Sequence, residues 1–305
     1  MTSIAIVGHI TLDENIILGK NHKKEQIGGP AFYASMPFCI SDIPVTVYPI
    51  ASVEDKLLDE FVMMLSMGSE VSNMEIIPRS ATVHFQNTYP NKENLEYRTQ
   101  KVIGYKPEPI DMSRVKGHEL VYVNLVTPDM TAENIHRLKE NNGHVLLDAQ
   151  SLLRKIDGED VSLYSSQEIR DIFKYIDTLI LDSLEAKALT HCQYSVDAAQ
   201  TLLKLGPNEV LITSPSEFIA GRRLNKNEVI FEQKFEYKGD PTGFGSKIGG
   251  AYSFKRPDDN TMVDDKSIEN ILLPAYKSAL ELGKRKLEIR QKELPEPFQK
   301  EFPNL

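Results

Sequence analysis

Short apolar runs that recur along the chain, separated by stretches with helical spacing, constrain the fold most. Residues 4–8 form one such run, closed by Gly8, and others occupy 45–52, 120–124, 145–148, 179–181 and 209–212. A continuous apolar run of strand length marks a strand buried on both faces, as in a parallel sheet covered by helices. The segments between carry the other period. Leu57, Leu58, Phe61, Val62 and Leu65 fall at three- and four-residue steps, and 131–141 reads as a helix opened by a Thr131 cap. Alternation of this kind predicts an α/β fold: a doubly wound, mostly parallel sheet flanked by helices.

Two segments depart from the alternation. Residues 82–89 and 95–102 alternate with the strand period around a turn-like 90–94, which predicts a β-hairpin. Near the end, Ile268, Ile271, Leu272, Ala275, Ala279, Leu282 and Leu287 form the stripe of an amphipathic helix over about 266–294, before a proline-rich tail. With no internal repeat, low-complexity block or linker in view, residues 1–305 read as one domain.

Composition narrows the function. The balance of 35 basic against 44 acidic residues, a net charge of −9, argues against nucleic acid or an anionic membrane as the main partner. No window approaches the apolar length of a membrane span and the first residues lack a basic leader, so a cytoplasmic location is expected. Cys39 and Cys192 lack metal-site spacing and read as buried thiols.

The chemistry concentrates in Asp240-Pro241-Thr242-Gly243-Phe244-Gly245-Ser246-Lys247-Ile248-Gly249-Gly250. Glycines followed by an apolar-periodic run describe a loop entering a helix, with Ser246 suited to the N-cap. Free N–H groups and the helix dipole make such a turn an anion site. Neither the P-loop pattern nor the dinucleotide fingerprint fits this spacing.

This stretch resembles the C-terminal signature of the ribokinase-like (PfkB) family of sugar and nucleoside kinases. Asp240, Thr242, Gly243 and Gly245 match, Pro241 and Phe244 depart, and Ser246 replaces the family's closing Asp. That Asp takes the proton from the substrate hydroxyl as it attacks ATP, a role closed to a serine hydroxyl near neutral pH. Gly8-His9-Ile10-Thr11-Leu12-Asp13 is similar to the family's Gly-x-x-x-x-Asp, which implies that Asp13, beyond a strand-end turn, binds substrate hydroxyls. Gly28, Gly29 and Tyr33 stand in a match to the N-terminal signature, a glycine pair opening a helix beneath the substrate.

Further along, Asp148-Ala149-Gln150-Ser151-Leu152-Leu153-Arg154 is similar to a stretch of the branch containing inositol-kinase-like proteins. Gln150 and Arg154 then contact substrate or phosphate, or Arg154 lies on a surface loop. At 182–185 the resemblance makes Glu185 an organiser of the Mg²⁺ hydration shell; an Asp182 cap with Glu185 three residues on explains the same residues as a capping box. On the nucleotide side Thr213 matches, as do Asp240 and Thr242, while Pro215 and Phe218 stand at glycine places and add bulk to the expected floor of the ATP site.

The resemblance also implies a β-lid built from about 15–27 and 80–104, with a homodimer through the lid. Its function is transfer of the ATP γ-phosphate, with Mg²⁺, to a sugar, polyol or nucleoside, where the amides of Gly243, Phe244, Gly245 and Ser246 form the anion hole. The alternative is an inactive relative that binds a small polyol or a protein partner without turning over ATP.

Overall fold

The computed structural model describes residues 3–18, 22–38, 43–54, 56–66, 71–90, 98–214, 216–224, 227–234 and 243–255. The helix expected over 266–294, the tail, Cys39, Pro215, Asp240, Pro241 and Thr242 lie outside the described residues.

Strand β1 (Ile4–His9) passes through Ile10 alone into β2 (Thr11–Ile17); β3 (His22–Gly28) then leads into α1 (Pro30–Ser35). Next come β4 (Val45–Ala51), α2 (Lys56–Ser66), β5 (Val71–Met74), β6 (Ile77–Pro78), β7 (Val83–Tyr89) and β8 (Thr99–Ile103). β9 (Leu120–Asn124), α3 (Ala132–Asn141) and β10 (His144–Asp148) precede a short α4 (Gln150–Leu153) and the hairpin β11 (Arg154–Asp157) and β12 (Asp160–Leu163). The chain continues with α5 (Gln167–Ile172), β13 (Thr178–Asp182), α6 (Ser183–Thr190), α7 (Ser195–Leu203) and β14 (Glu209–Thr213). A second hairpin, β15 (Glu217–Leu224) and β16 (Asn227–Lys234), is followed by α8 (Phe244–Lys255).

In the larger sheet β1 pairs in parallel with β4 on one side and β9 on the other. Parallel order continues from β9 through β10, β13 and β14, and the antiparallel β15 and β16 close that edge. Strand order therefore reverses at β1, the place where carboxyl ends of an open α/β sheet leave a crevice.

Alternation along each strand divides the apolar runs between two cores. Ile4, Ile6, Leu120, Tyr122, Leu146, Ile180 and Leu211 face α1 and α8 through Ala31, Phe32, Ile248 and Tyr252. Their neighbours Ala5, Val7, Val121, Val123, Val145, Leu147, Leu179 and Val210 face the opposite helices through Ile135, Leu138, Ala198 and Leu202. Each aliphatic side chain so buried contributes ~1.5–3 kcal/mol, which is why the runs carry no polar face. The Thr131 cap of α3 is present: its hydroxyl accepts from Asn134 N at 3.1 Å.

The second sheet is mixed, ordered β11-β12-β8-β7-β2-β3, with β2 and β7 parallel and the other pairs antiparallel. Its apolar side, Val83, Phe85 and Val102, packs on Val126 after β9. This sheet extends the expected lid, since β2 begins at Thr11 and β11–β12 join its edge.

Several expectations are corrected. Asp13 lies inside β2, because the backbone crosses from one sheet to the other without a turn at Gly8. Phe218 is opposite Thr213 on β15 and only 1% exposed, a core residue packed under the sheet and away from the cavity. Cys192 is half-buried. No helix among the described residues is long and apolar enough to cross a membrane.

Candidate active site

The carboxyl ends of β10, β13 and β14, the turn before α8 and the inner face of the second sheet enclose a cavity of about 630 Å³, a size typical of small-ligand sites. Asp13, Gly29, Tyr33, Gln150, Arg154, Glu185, Thr213, Gly243, Phe244, Gly245 and Ser246 line it. Gly28 lies directly behind Asp13: a Cβ there would sit 2.1 Å from Asp13 Oδ2. The glycine is what lets the carboxylate occupy that place.

Asp13 is buried, and Thr11 Oγ1 donates to its Oδ1 at 2.7 Å. Burial raises its carboxyl, opposed by the Thr11 hydrogen bond and by the charges of Arg98, Arg154 and His84. Behind it, α1 opens at Gly29 with Pro30 in its first turn and carries Tyr33 under the opposite wall.

That wall is the start of α8. Gly243 adopts φ +70°, and a Cβ would come 2.3 Å from the Tyr33 ring, so both dihedral and space require glycine. Lys247 N donates to Gly243 O at 3.0 Å, while the N–H groups of Gly245 and Ser246 lie in the first turn ahead of that bond, at the end of the helix that favours an anion. Ser246 therefore lies within the first turn, not at the N-cap. Thr213 Oγ1, at the end of β14, would be 3.5 Å from a Cβ on Gly245.

Carboxylates line the floor. Asn124 and Asp148 are register neighbours at the ends of β9 and β10. Asn124 Nδ2 lies 2.8 Å from Asp148 Oδ2, 3.0 Å from Tyr122 OH and 3.1 Å from Ser246 Oγ, so its two N–H donors are shared among three acceptors. Its Oδ1 is buried without a hydrogen-bond partner among the described residues. Burial pushes Asp148 up to about 7 and Asp182 adds to the rise, against the Gln150 N–H, Arg154 and Asn124.

Asp182 and Glu185 form the capping box: Glu185 N donates to Asp182 Oδ1 at 2.7 Å and Asp182 N to Glu185 Oε2 at 2.9 Å. Glu185 is raised well above the usual range by burial and then by Asp182 and Asp148. Desolvation by the surrounding wall also raises Asp182, but its side chain opens to solvent, which screens the effect.

Arg154 is 8% exposed, with Nη1 donating to Val126 O at 2.9 Å and Nη2 to Gln100 Oε1 at 3.1 Å. Its guanidinium lies 5.4 Å over Phe85. The surface-loop alternative is thus removed. Burial lowers it to about 10, still charged at neutral pH.

Asp182 and Asp148 both raise Glu185, and Asp182 raises Asp148. Among the described residues no three acid, His or Cys groups converge closely enough to grip an ion directly. The site suits a hydrated Mg²⁺, held through water and phosphate oxygens.

The sequence reading omitted Asn124, Asp148 and Arg98 as site residues, and took Asp182 as a near substitute for the Asn of the family's Asn-x-x-Glu magnesium motif as well as a cap. One signal was there to use: Asn124, Asp148, Asp182 and Thr213 are each the polar residue ending an apolar strand.

A doubly wound parallel sheet with a second β-sheet over its carboxyl ends and a glycine turn opening the last described helix defines an α/β architecture of known type. It is the ribokinase (PfkB) fold. No family model and no curated protein matches the chain. Among solved structures, a sulfate complex of a pyrophosphate-dependent kinase in the ribokinase family is similar at 19% identity and TM-score 0.74, over 91% of this chain and 95% of that one. A pyrophosphate-dependent kinase of the same family, complexed with a pyrophosphate analog and myo-inositol, is similar at 20% identity and TM-score 0.72 over the same 91% and 95%. The Arabidopsis thaliana ribokinase bound to ribose and ATP is 13% identical with TM-score 0.58, over 92% of this chain and 99% of its own.

Proposed function

We propose that this chain, as one ribokinase-like unit over residues 1–305, transfers the terminal phosphoryl group of ATP or pyrophosphate to a hydroxyl of a small sugar, polyol or nucleoside. The observation that carries the reading is the cavity itself. A buried carboxylate, Asp13, stands on one wall, and the first turn of α8, with Phe244, Gly245 and Ser246, stands on the other. Similar structures hold donors of both kinds, ATP in one and a pyrophosphate analog in another.

In this reading Asp13 accepts hydrogen bonds from acceptor hydroxyls, and Arg154 and Gln150 bind the acceptor or its incoming phosphate. The helix N-terminus holds the charge that develops on the transferred phosphoryl group, the main demand of such a reaction. Thr213 borders the donor side, and the resemblance gives Asp240 and Thr242, outside the described residues, a donor-binding role. Mg²⁺, when bound, neutralises donor charge, and Glu185 orders its water shell. The second sheet excludes water from the reaction and offers an edge for a homodimer.

Ser246 supports a second reading. Its hydroxyl accepts from Asn124 where related enzymes carry a base, as expected of a protein that binds ligand without turnover.

Phosphorus NMR of the chain with Mg²⁺, each donor in turn and a panel of pentoses, hexoses, inositols and nucleosides separates the two. Transfer predicts a new phosphomonoester with one acceptor class, and Asp13→Asn then raises the acceptor KM by ~10-fold or more while donor Kd from calorimetry stays within about twofold. Donor binding without product on any acceptor selects the binding-only reading. Absence of donor binding overturns phosphoryl transfer.

A further inference from the structure

Resting on the phosphoryl-transfer reading, we propose that Asp148, at the carboxyl end of β10, takes the proton from the acceptor hydroxyl in the place of the carboxylate that Ser246 does not supply. The turn at 243–246 offers backbone donors for developing charge but no base of its own. Asp148 is the carboxylate tied to it. A single amide, Asn124 Nδ2, bridges Asp148 Oδ2 at 2.8 Å and Ser246 Oγ at 3.1 Å. A Cβ built on Gly245 would meet only Thr213 Oγ1 at 3.5 Å and Asp148 Oδ2 at 4.0 Å. The carboxylate thus faces the first turn of α8 across open space that a reacting oxygen can enter.

The other acids of the cavity are committed elsewhere, and Asp160 on β12 is exposed, 4.0 Å from Lys101 Nζ. Asp182 and Glu185 satisfy each other's backbone in the capping box, and Asp13 is held by Thr11 on the second sheet. Asp148 keeps one oxygen on the Gln150 N–H at 3.1 Å and turns the other toward Asn124 and the helix. The ionisable groups around it are Asp182 at the end of β13, Glu185 on α6, Arg154 opening β11 and Tyr122 on β9. Burial and Asp182 raise the carboxyl to about 7, a value matched to a base working near neutral pH.

In the step, the acceptor O–H bond breaks and its proton passes to Asp148. The freed oxygen electron pair forms the new O–P bond. The bond from phosphorus to the leaving oxygen breaks, and its electron pair departs with ADP or phosphate. Asp148 returns the proton to solvent after product leaves.

The test follows the acceptor and donor that wild type uses. Asp148→Asn should lower kcat by ~10²–10⁴-fold, the usual cost of a lost general base, with calorimetric donor Kd within about twofold and circular dichroism unchanged. An acid limb of the wild-type kcat profile should vanish in Asp148→Asn and return in Asp148→Glu. Ser246→Asp in the Asp148→Asn background should recover ~10-fold or more, because it restores a carboxylate at the same turn. Wild-type turnover with Asp148→Asn within about threefold, or with the acid limb intact in that variant, overturns the base assignment and leaves the kinase reading standing. Absence of wild-type product on every donor and acceptor pair overturns both.

Discussion

Replacing Asp148 with Asn should make the chain gain stability relative to wild type as pH rises. Burial and Asp182 carry the Asp148 carboxyl from 3.8 to about 7. Between those values the folded protein keeps a proton that the unfolded chain has released. The stability it contributes is therefore full below pH 3.8 and lost as pH climbs through about 7. Each pH unit inside the window costs about 1.4 kcal/mol, or roughly 3 kcal/mol in total from about pH 5 to about pH 8.

A wild-type profile alone mixes signs. His9, lowered to about 3 by burial and then by Arg79, contributes stability that is present above 6.5 and lost as pH falls. His118 acts in the same direction. Subtracting the Asp148→Asn curve removes both histidines. Urea unfolding of the two proteins at several pH values without divalent ions should show the variant gaining about 3 kcal/mol on wild type between about pH 5 and about pH 8. Curves that stay parallel within about 1 kcal/mol would refute the claim that this carboxyl is held against its charge.

Two further outcomes test neighbouring parts. Gly243→Ala forces a side chain into φ +70° and to within 2.3 Å of the Tyr33 ring; donor Kd should weaken by ~10-fold or more and urea unfolding should show a loss of about 2–4 kcal/mol. Unchanged donor affinity would remove the turn from the anion site. Arg79→Met strips the buried Asp129 of a guanidinium 2.5 Å from its Oδ2, where burial raises that carboxyl but bonds from Thr127, Tyr105 and Arg79 outweigh it. A loss of about 3–5 kcal/mol is expected, with part recovered by adding Asp129→Asn; a loss below about 1 kcal/mol would show the pair to be solvated.

The strands legible from sequence are those buried on both faces. β1, β9, β10, β13 and β14 read as apolar runs because helices cover the sheet on either side. The hairpin β11–β12 was not legible, since it forms an edge of the second sheet and β12 is mostly exposed, leaving no apolar alternation to read. β15–β16 escaped for a related reason: Arg222, Arg223, Glu228 and Glu232 interrupt its pattern at the sheet edge. Phe218 was taken for bulk in the cavity because chain position says nothing about which face of β15 it occupies.

For the site, local pattern was enough to place Gly243 and Gly245 in a glycine turn entering a helix, because the need for glycine arises from dihedral and helix start within a few residues. Asp13, Gly28 and Gly29 were also legible as a group, though only the paired strands show Asp13 resting on Gly28. The pairing of Asp148 with Ser246 through Asn124 was beyond the sequence. Those residues lie 24 and 122 positions from Asn124, and only the crossover order of the sheet brings their strand ends and the start of α8 to one crevice. The sequence by itself determined the layered α/β architecture and the glycine turn that opens α8, because burial and backbone geometry act locally. Tertiary structure decided which carboxylates share the cavity and which are held away from their charge, because desolvation and Coulomb terms depend on distances that chain order does not encode.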